Sequence, residues 1–406
     1  MTDTLLLPAL IGVAPLMRRA FAGENLVHQG QDLLQRAQDN PADAHAYLDF
    51  STVLQLTGDR NDALAVQAEA IAIQSVYSLP ARQAGPGVRL LAIMGPGDLM
   101  ANTPVEFLIE NSDVSLDLLY LTADSGWPTV VPDHDVLLVA VAESDRNQPL
   151  LKRLTTDLAN WPRPIINRPE RIAVLSRDGA CAALQDIAGV EMPATVRVDR
   201  TQLQAIADGT LAVTPLLPDG DFPIIVRPTG SHAGQNLDKL SSPAEVASYL
   251  DKVDAARFYL SRFVDYRSAD GQFRKYRIII IDGIPFICHY AISSHWMIHY
   301  LNAGMTDSQP KRDEEAACMA SFDQQFAVRH ASAMQDIYGR LGLPYLGMDC
   351  AETSNGDLLI FEVDNAMIVH DMDPEGMFPY KKPVMRKVFD AFRQLLDTSR
   401  TTTLRD

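Results

Sequence analysis

The chain has 406 residues, room for two to four domains at roughly 100 to 200 residues each and for large buried cores. Hydrophobic residues at 47% and charged residues at 21% exclude a disordered, collagenous or coiled-coil polypeptide. Lys and Arg number 35 against 52 Asp and Glu, and the resulting formal charge of −17 repels phosphate backbones and anionic lipid, so neither nucleic acid nor a membrane is an expected partner.

Cys181, Cys288, Cys318 and Cys350 stand apart with no CxxC pair, so neither a zinc knuckle nor a disulfide framework is expected, and a reducing cytoplasm fits best. The apolar opening Thr4 to Met17, followed by Ala20-Phe21-Ala22, mimics a secretory signal. Its polarity is wrong for export: Asp3 precedes the run, Arg18-Arg19 follow it, and Pro8 and Pro15 interrupt it. No other stretch approaches the ~20 apolar residues of a membrane span.

Residues 1–84 read as helical. Tyr47, Phe50, Leu54, Ala63, Leu64, Ala70 and Ile71 fall at helical spacing on both sides of a Gly58-Asp59 turn, and the segment resembles a single tetratricopeptide repeat. One such unit cannot cover its own apolar face, so packing on the rest of the chain or on a second copy is expected, with a homodimer as the default. Residues 85–167 change texture: Arg89 to Met94 and Asp135 to Val141 are short apolar runs of the kind that form buried strands, which predicts a small α/β domain. The Gly95-Pro96-Gly97 turn lacks a full GxGxxG pattern and reads as a strand-ending turn. Residues 168–406 mix β-runs with helices and carry the chemistry.

Tyr345 to Ala351 and Leu358 to Val363 flank Ser354-Asn355-Gly356-Asp357, and Asn-Gly is a strong hairpin signal. A two-residue loop there sets Asp349 directly opposite Glu362, with Asp364 on the same face as Glu362. Opposed like charges require a proton or a cation, and an all-oxygen set favours Mg²⁺ or Mn²⁺ over zinc. Upstream, Asp221 to Gly234 is a strand ending in Arg227 and followed by a loop with Gly230, Ser231 and Gly234, whose amides and hydroxyl can meet phosphate oxygens. No Gly-Lys-Ser/Thr follows, which excludes a Walker A loop. Lys275 to Ile281 ends in Asp282-Gly283, and Arg277 on this strand is the candidate to neutralise a transferring phosphoryl group.

In this order the elements from about Arg168 to Leu396 resemble the ATP-grasp superfamily, in particular bacterial glutathione synthetases and ribosomal-protein glutamate ligases. The resemblance implies an α+β and α/β chain: an ATP-grasp fold with a central and lid part at about 168–265 and a catalytic part at about 266–396. A small Rossmann-like domain and the helical repeat would precede it. Arg227 takes the place of the family's strand-end lysine. Tyr259 to Asp265 matches the linker that holds adenine, so Arg262, Phe263 and Val264 would line the base and Asp265 would reach ribose. Arg277 matches the catalytic arginine, and Asp349, Glu362 and Asp364 fall on the metal set. That set usually ends in Asn, so Asp364 and its neighbour Asn365 compete for the role. The phosphate-binding lysine that normally precedes the central domain is replaced by Arg177, a planar fork instead of a point charge.

The implied activity is an ATP- and Mg²⁺-dependent ligase that activates a small-molecule carboxylate as an acylphosphate and passes it to an amine or similar nucleophile. His295, Trp296 and His299 follow the catalytic-arginine hairpin, where related ligases face the acceptor, and are candidate substrate contacts. Two alternatives stand beside the ligase: a scaffold built on the amino-terminal repeat with a regulatory or inactive nucleotide site, and a kinase that needs no acceptor nucleophile.

Overall fold

A computed structural model describes residues 8–402 apart from 86, 219, 232 and 233. Thr4 to Leu7 of the apolar opening and His232-Ala233 of the glycine-rich loop lie outside the described residues.

Four helices come first: α1 (Val13–Phe21), α2 (Val27–Asp39), α3 (Ala44–Thr57) and α4 (Arg60–Ile73). Asp43 starts α3 by accepting a hydrogen bond from the Ala46 amide, and Gly58 ends it in the left-handed conformation. Ala44, Ala46, Ala63 and Ala70 are fully buried, which lets α3 and α4 approach closely across the expected Gly58-Asp59 turn. One face of α3 is covered by α1 and α2, where Leu16, Leu26 and Leu33 pack on Ala46 and Val53. The other side joins the next domain: the Tyr77 hydroxyl donates to the Ala70 carbonyl at 2.8 Å, and Leu48 and Ala70 enter its core. Both sides of α3 are therefore covered within the chain.

The first sheet contains β1 (Val76–Leu79), β2 (Val88–Met94), β3 (Val114–Tyr120), β4 (Val136–Val139) and β5 (Ile165–Ile166), in the order β1-β3-β2-β4-β5. All neighbours are parallel except β1, which runs antiparallel to β3 at the edge. Burial on both faces explains the unbroken apolar runs of β2 and β4. This sheet starts at Val76, ahead of the texture change near residue 85. Around Gly95 and Gly97 the backbone is already satisfied: the Gly97 amide donates to Gln67 at 2.8 Å and the Gly95 amide to Asn102 at 2.7 Å. The turn is structural, with no amide left to cradle a phosphate.

After β6 (Val190–Glu191), a short strand of the last sheet, come β7 (Thr195–Asp199), β8 (Ile224–Pro228), β9 (Asp238–Leu240) and β10 (Arg257–Arg262). They form an antiparallel sheet ordered β7-β10-β8-β9. The last sheet is ordered β12-β11-β13-β14-β6, with β11 (Phe273–Ile281), β12 (Ile284–Ser293), β13 (Tyr345–Glu352) and β14 (Leu358–Asp364). Asp282 and Gly283 both have positive φ, 48° and 80°, as a tight two-residue hairpin turn between β11 and β12 demands. The helix Lys381–Thr402 closes the chain, burying Val388, Phe392 and Leu396 against Val88, Ile279 and Tyr345.

The β13–β14 hairpin corrects one step of the sequence reading. Its turn is a three-residue loop: the Thr353 amide donates to the Asp357 carbonyl at 2.9 Å, Gly356 has φ 86°, and Glu352 pairs with Leu358. The longer loop shifts every pair by one. A β-bulge beside Asp349 then makes Phe361 the extra residue and shifts the pairs back, so Asp349 still lies opposite Glu362.

Candidate active site

Strand alternation decides which side chains meet. In the second sheet Ile224, Val226, Phe258 and Leu260 enter the core, so Ile225, Arg227, Tyr259 and Ser261 face the other way. In the last sheet Tyr276 and Ile278 enter a core, which leaves Lys275 and Arg277 on the opposite face with Asp349 and Glu362. The two polar faces border one cleft of about 610 Å³, within the range of small-molecule sites.

At its floor Asp349 is 5% exposed and gripped by two cations. Arg277 donates to both its oxygens, Nε at 2.8 Å and Nη2 at 2.9 Å, and Lys275 Nζ donates at 2.9 Å. Burial alone would raise its pKa, but Arg277 and Lys275 outweigh burial and hold the carboxyl well below the usual range. Arg277 also donates to the Ile368 carbonyl at 3.4 Å. Glu362 is met by Arg177 Nη2 at 2.5 Å, while Arg177 Nη1 donates to the Phe361 carbonyl at 3.2 Å. Arg177 opens the helix Arg177–Leu184, capped by Ser176, which fixes its backbone at the cleft. Among the described residues no cation pairs with Asp364. Burial, and then the charge of Glu362, push it up to about 7.

The three carboxylates therefore do not form one open cage, and among the described residues no group of three or more His, Cys, Asp or Glu is placed to hold a metal ion. Three donors already sit on Asp349, one on Oδ1 and two on Oδ2. Glu362 and Asp364 both border the cleft, whereas Asn365 is fully buried and turned away, donating to the Val141 carbonyl at 3.1 Å. A crowded carboxylate pair with one member driven toward its neutral form is a donor set that fits a hard divalent cation.

On the facing side Arg227 is 8% exposed, its Nε donating to Ser231 Oγ at 3.1 Å. Burial, with the charge of Arg177 adding to it, pulls its pKa down to about 10. Gly230, Ser231 and Gly234 border the cleft, and Gly234 leaves room for Met297, whose sulfur would lie 3.2 Å from an added Cβ. Arg262, Phe263 and Val264 also border it. Arg262 pairs with Glu191, and Phe263 has Lys239 3.8 Å from its ring centre and meets Trp296 edge-on at 5.7 Å. Asp265 is exposed, pairs with Arg267 at 2.9 Å and does not reach the cleft.

Of the acceptor candidates, Trp296 and His299 line the cleft, with Trp296 beside Phe263, while His295 is exposed and outside it. The two histidines do not share a helix: β12 ends at Ser293 and a single 3₁₀ turn begins at Tyr300. Sequence reasoning passed over Lys275, although its spacing of two from Arg277 puts both on one face. It also passed over His289, which lies opposite Arg277 across β11 and β12 and lines the cleft. Burial, then the charge of Arg277, lowers its pKa, keeping the ring neutral. Lys381, 2% exposed, lies 3.3 Å from Asp373 and 3.6 Å from Glu315 and bonds the Tyr300 hydroxyl, a network without a local sequence signature.

No protein-family model matches the chain, and no curated protein does. Among solved structures it is similar to a RimK domain ATP-grasp protein from Sphaerobacter thermophilus, at 14% identity and TM-score 0.42 over 76% of this chain and 99% of that one. It is also similar to the VanG D-Ala:D-Ser ligase from Enterococcus faecalis, at 12% identity and TM-score 0.49 over 76% and 99%. The D-alanine-D-alanine ligase from Coxiella burnetii is a third, at 10% identity and TM-score 0.46 over 79% and 96%. These scores lie below 0.5, so the functional reading rests on the cleft.

Proposed function

We propose that the chain is an ATP-dependent ligase of the ATP-grasp type, which converts a substrate carboxylate into an acylphosphate and transfers the acyl group to an amine or similar nucleophile. One observation carries this reading: Arg177 and Arg227 converge on a cleft floored by Arg277, Lys275, Asp349, Glu362 and Asp364. Polyphosphate needs such cations, and carboxylates among them would be self-defeating unless a divalent metal bridges the two sets.

Glu362 and Asp364 would hold Mg²⁺ or Mn²⁺, which would supply charge neutralisation for the phosphates. Arg177 and Arg227 bind phosphate. Arg262, Phe263 and Val264 line the base, while Asp265 and Asn365 have no part. Arg277 sits where charge develops on the transferred group, and Asp349 holds it and Lys275 in place before the reaction starts. Gly230, Ser231 and Gly234, at the border of the cleft, would help keep water from the mixed anhydride. The carboxylate oxygen bonds the γ-phosphorus as the bond to ADP breaks; the amine then bonds the acyl carbon as phosphate leaves.

Mg²⁺ with ATP should raise the melting temperature of the purified protein, because ligand bound only to the native state stabilises by mass action. Glu362→Gln should remove most of that shift. Phosphate release should then require both an acid and an amine from a screen of small molecules. No shift, or a shift undiminished in the variant, refutes the ligase and leaves the scaffold; ADP formation with one substrate and a stable phosphorylated product makes the enzyme a kinase.

A further inference from the structure

The cleft does not end at the two sheets that make its polar walls. Beyond Arg277 it is bordered by Met17 and Phe21 of α1, by Met100, and by Ile368 and Met372 of the segment that follows β14. From these residues, and on the basis of the ligase reading, we infer that the activated acid carries an apolar chain and that the amino-terminal helix forms the wall receiving it.

First, α1 is a fixed part of the cleft. Glu106 accepts from the Ala14 amide at 3.0 Å, and Asp49 accepts from the Ile11 and Gly12 amides at 2.8 and 3.0 Å, which hold its leading end. Arg18, one turn before its trailing end, pairs with Glu110 at 2.9 Å and also with Asp371. That last pair ties the helix to the segment containing Ile368 and Met372. Phe21 lies 5.5 Å from the His370 ring on the same segment.

Second, this wall adjoins the reacting centre. The Ile368 carbonyl accepts from Arg277, so an acyl group held at Arg277 would have its next carbons beside Ile368 and Met17. Third, the chemistry here is apolar. Arg18 is neutralised by Glu110 and Asp371, and Lys381 by Asp373 and Glu315, so an anionic tail would meet cations that already have partners. Phe21 is 41% exposed, an apolar ring left at the mouth for a ligand to cover. Methionine side chains adapt their shape, which suits a chain of variable length.

The test uses the full-length protein saturated with Mg²⁺ and a non-hydrolysable ATP analogue, titrated calorimetrically with straight-chain carboxylates from acetate to octanoate. Affinity should rise about fourfold per methylene until the wall is filled, the factor that corresponds to burying one CH₂. Met17→Trp, which occupies the wall, and Phe21→Ser, at a site exposed enough to spare the fold, should each flatten that rise. Affinity independent of chain length, no binding of any carboxylate to the nucleotide complex, or a rise unchanged in both variants overturns the inference. Absence of a nucleotide complex is a different failure, because it removes the ligase reading itself.

Discussion

Asp349→Asn tests the arrangement on which the cleft depends. The side chain of Asp349 is 7% exposed, and those of its partners Lys275 and Arg277 are 11% and 22% exposed. The amide keeps the shape and one acceptor but no charge, so two cations would face each other across a neutral group in a poorly solvated place. Removing one partner of a buried ion pair typically costs about 3 to 5 kcal/mol, because the remaining charge loses its compensation without regaining water. The loss should reach that range, read as a lower free energy of unfolding in urea. Lys275→Met in the Asp349→Asn background should return part of it, since it deletes one stranded cation, with a coupling of about 1 to 3 kcal/mol for groups in direct contact. A different picture, in which Asp349 is an open metal ligand, predicts the reverse: neutralising it would relieve repulsion from Glu362 and leave stability unchanged or improved. An Asp349→Asn protein within about 1 kcal/mol of wild type, on the scale of an exposed pair, refutes the buried-triad argument.

Stability should also fall as pH rises through neutrality, because Glu106 is pushed up to about 7 from 4.5, by burial against the opposing pull of the Ala14 and Val13 amides. A raised carboxyl pKa means that the folded state binds more protons between those two values. The gap corresponds to about 3 kcal/mol present below pH 4.5 and lost by about pH 7. Asp49, raised to about 6 by burial, acts in the same direction. Glu106→Gln should flatten the profile of unfolding free energy against pH; an unchanged slope refutes the assignment. Gly347→Ala should destabilise by about 1 to 3 kcal/mol, because an added Cβ would lie 2.8 Å from Met367, packed against the strand opposite Asp364. A neutral result in urea unfolding shows that the segment after β14 is not pressed on β13.

What could be read from the sequence follows from the range of the interactions. Period-two alternation is local, so the strand at Lys275 to Ile281 and the cleft-facing Arg277 were visible, and Lys275 was visible by the same rule. The pairing of Asp349 with Glu362 was reached through two offsets that cancel. A three-residue loop and a bulge at Phe361 are each invisible to a count based on Asn-Gly alone, yet a buried apolar strand tolerates only registers that keep its core residues inward. Where a position was decided by distant partners, sequence gave less. Asp364 and Asn365 are adjacent and chemically alike; the choice between them is made by Val141 and Thr103, which hold the Asn365 amide on the other side. Asp265 pairs with Arg267, two residues away, a local contact that the resemblance does not indicate. The largest omission, α1 at the cleft, has the longest range: Arg18 and Asp371 are 353 positions apart. The arginine pair that first suggested a failed export signal, Arg18-Arg19, includes the residue that pins this helix beside the site. On the proposed reading, a helix fixed there by buried carboxylates at one end and an ion pair at the other would constrain substrate shape as firmly as any strand of the two sheets, and the amino-terminal unit would belong with the active site.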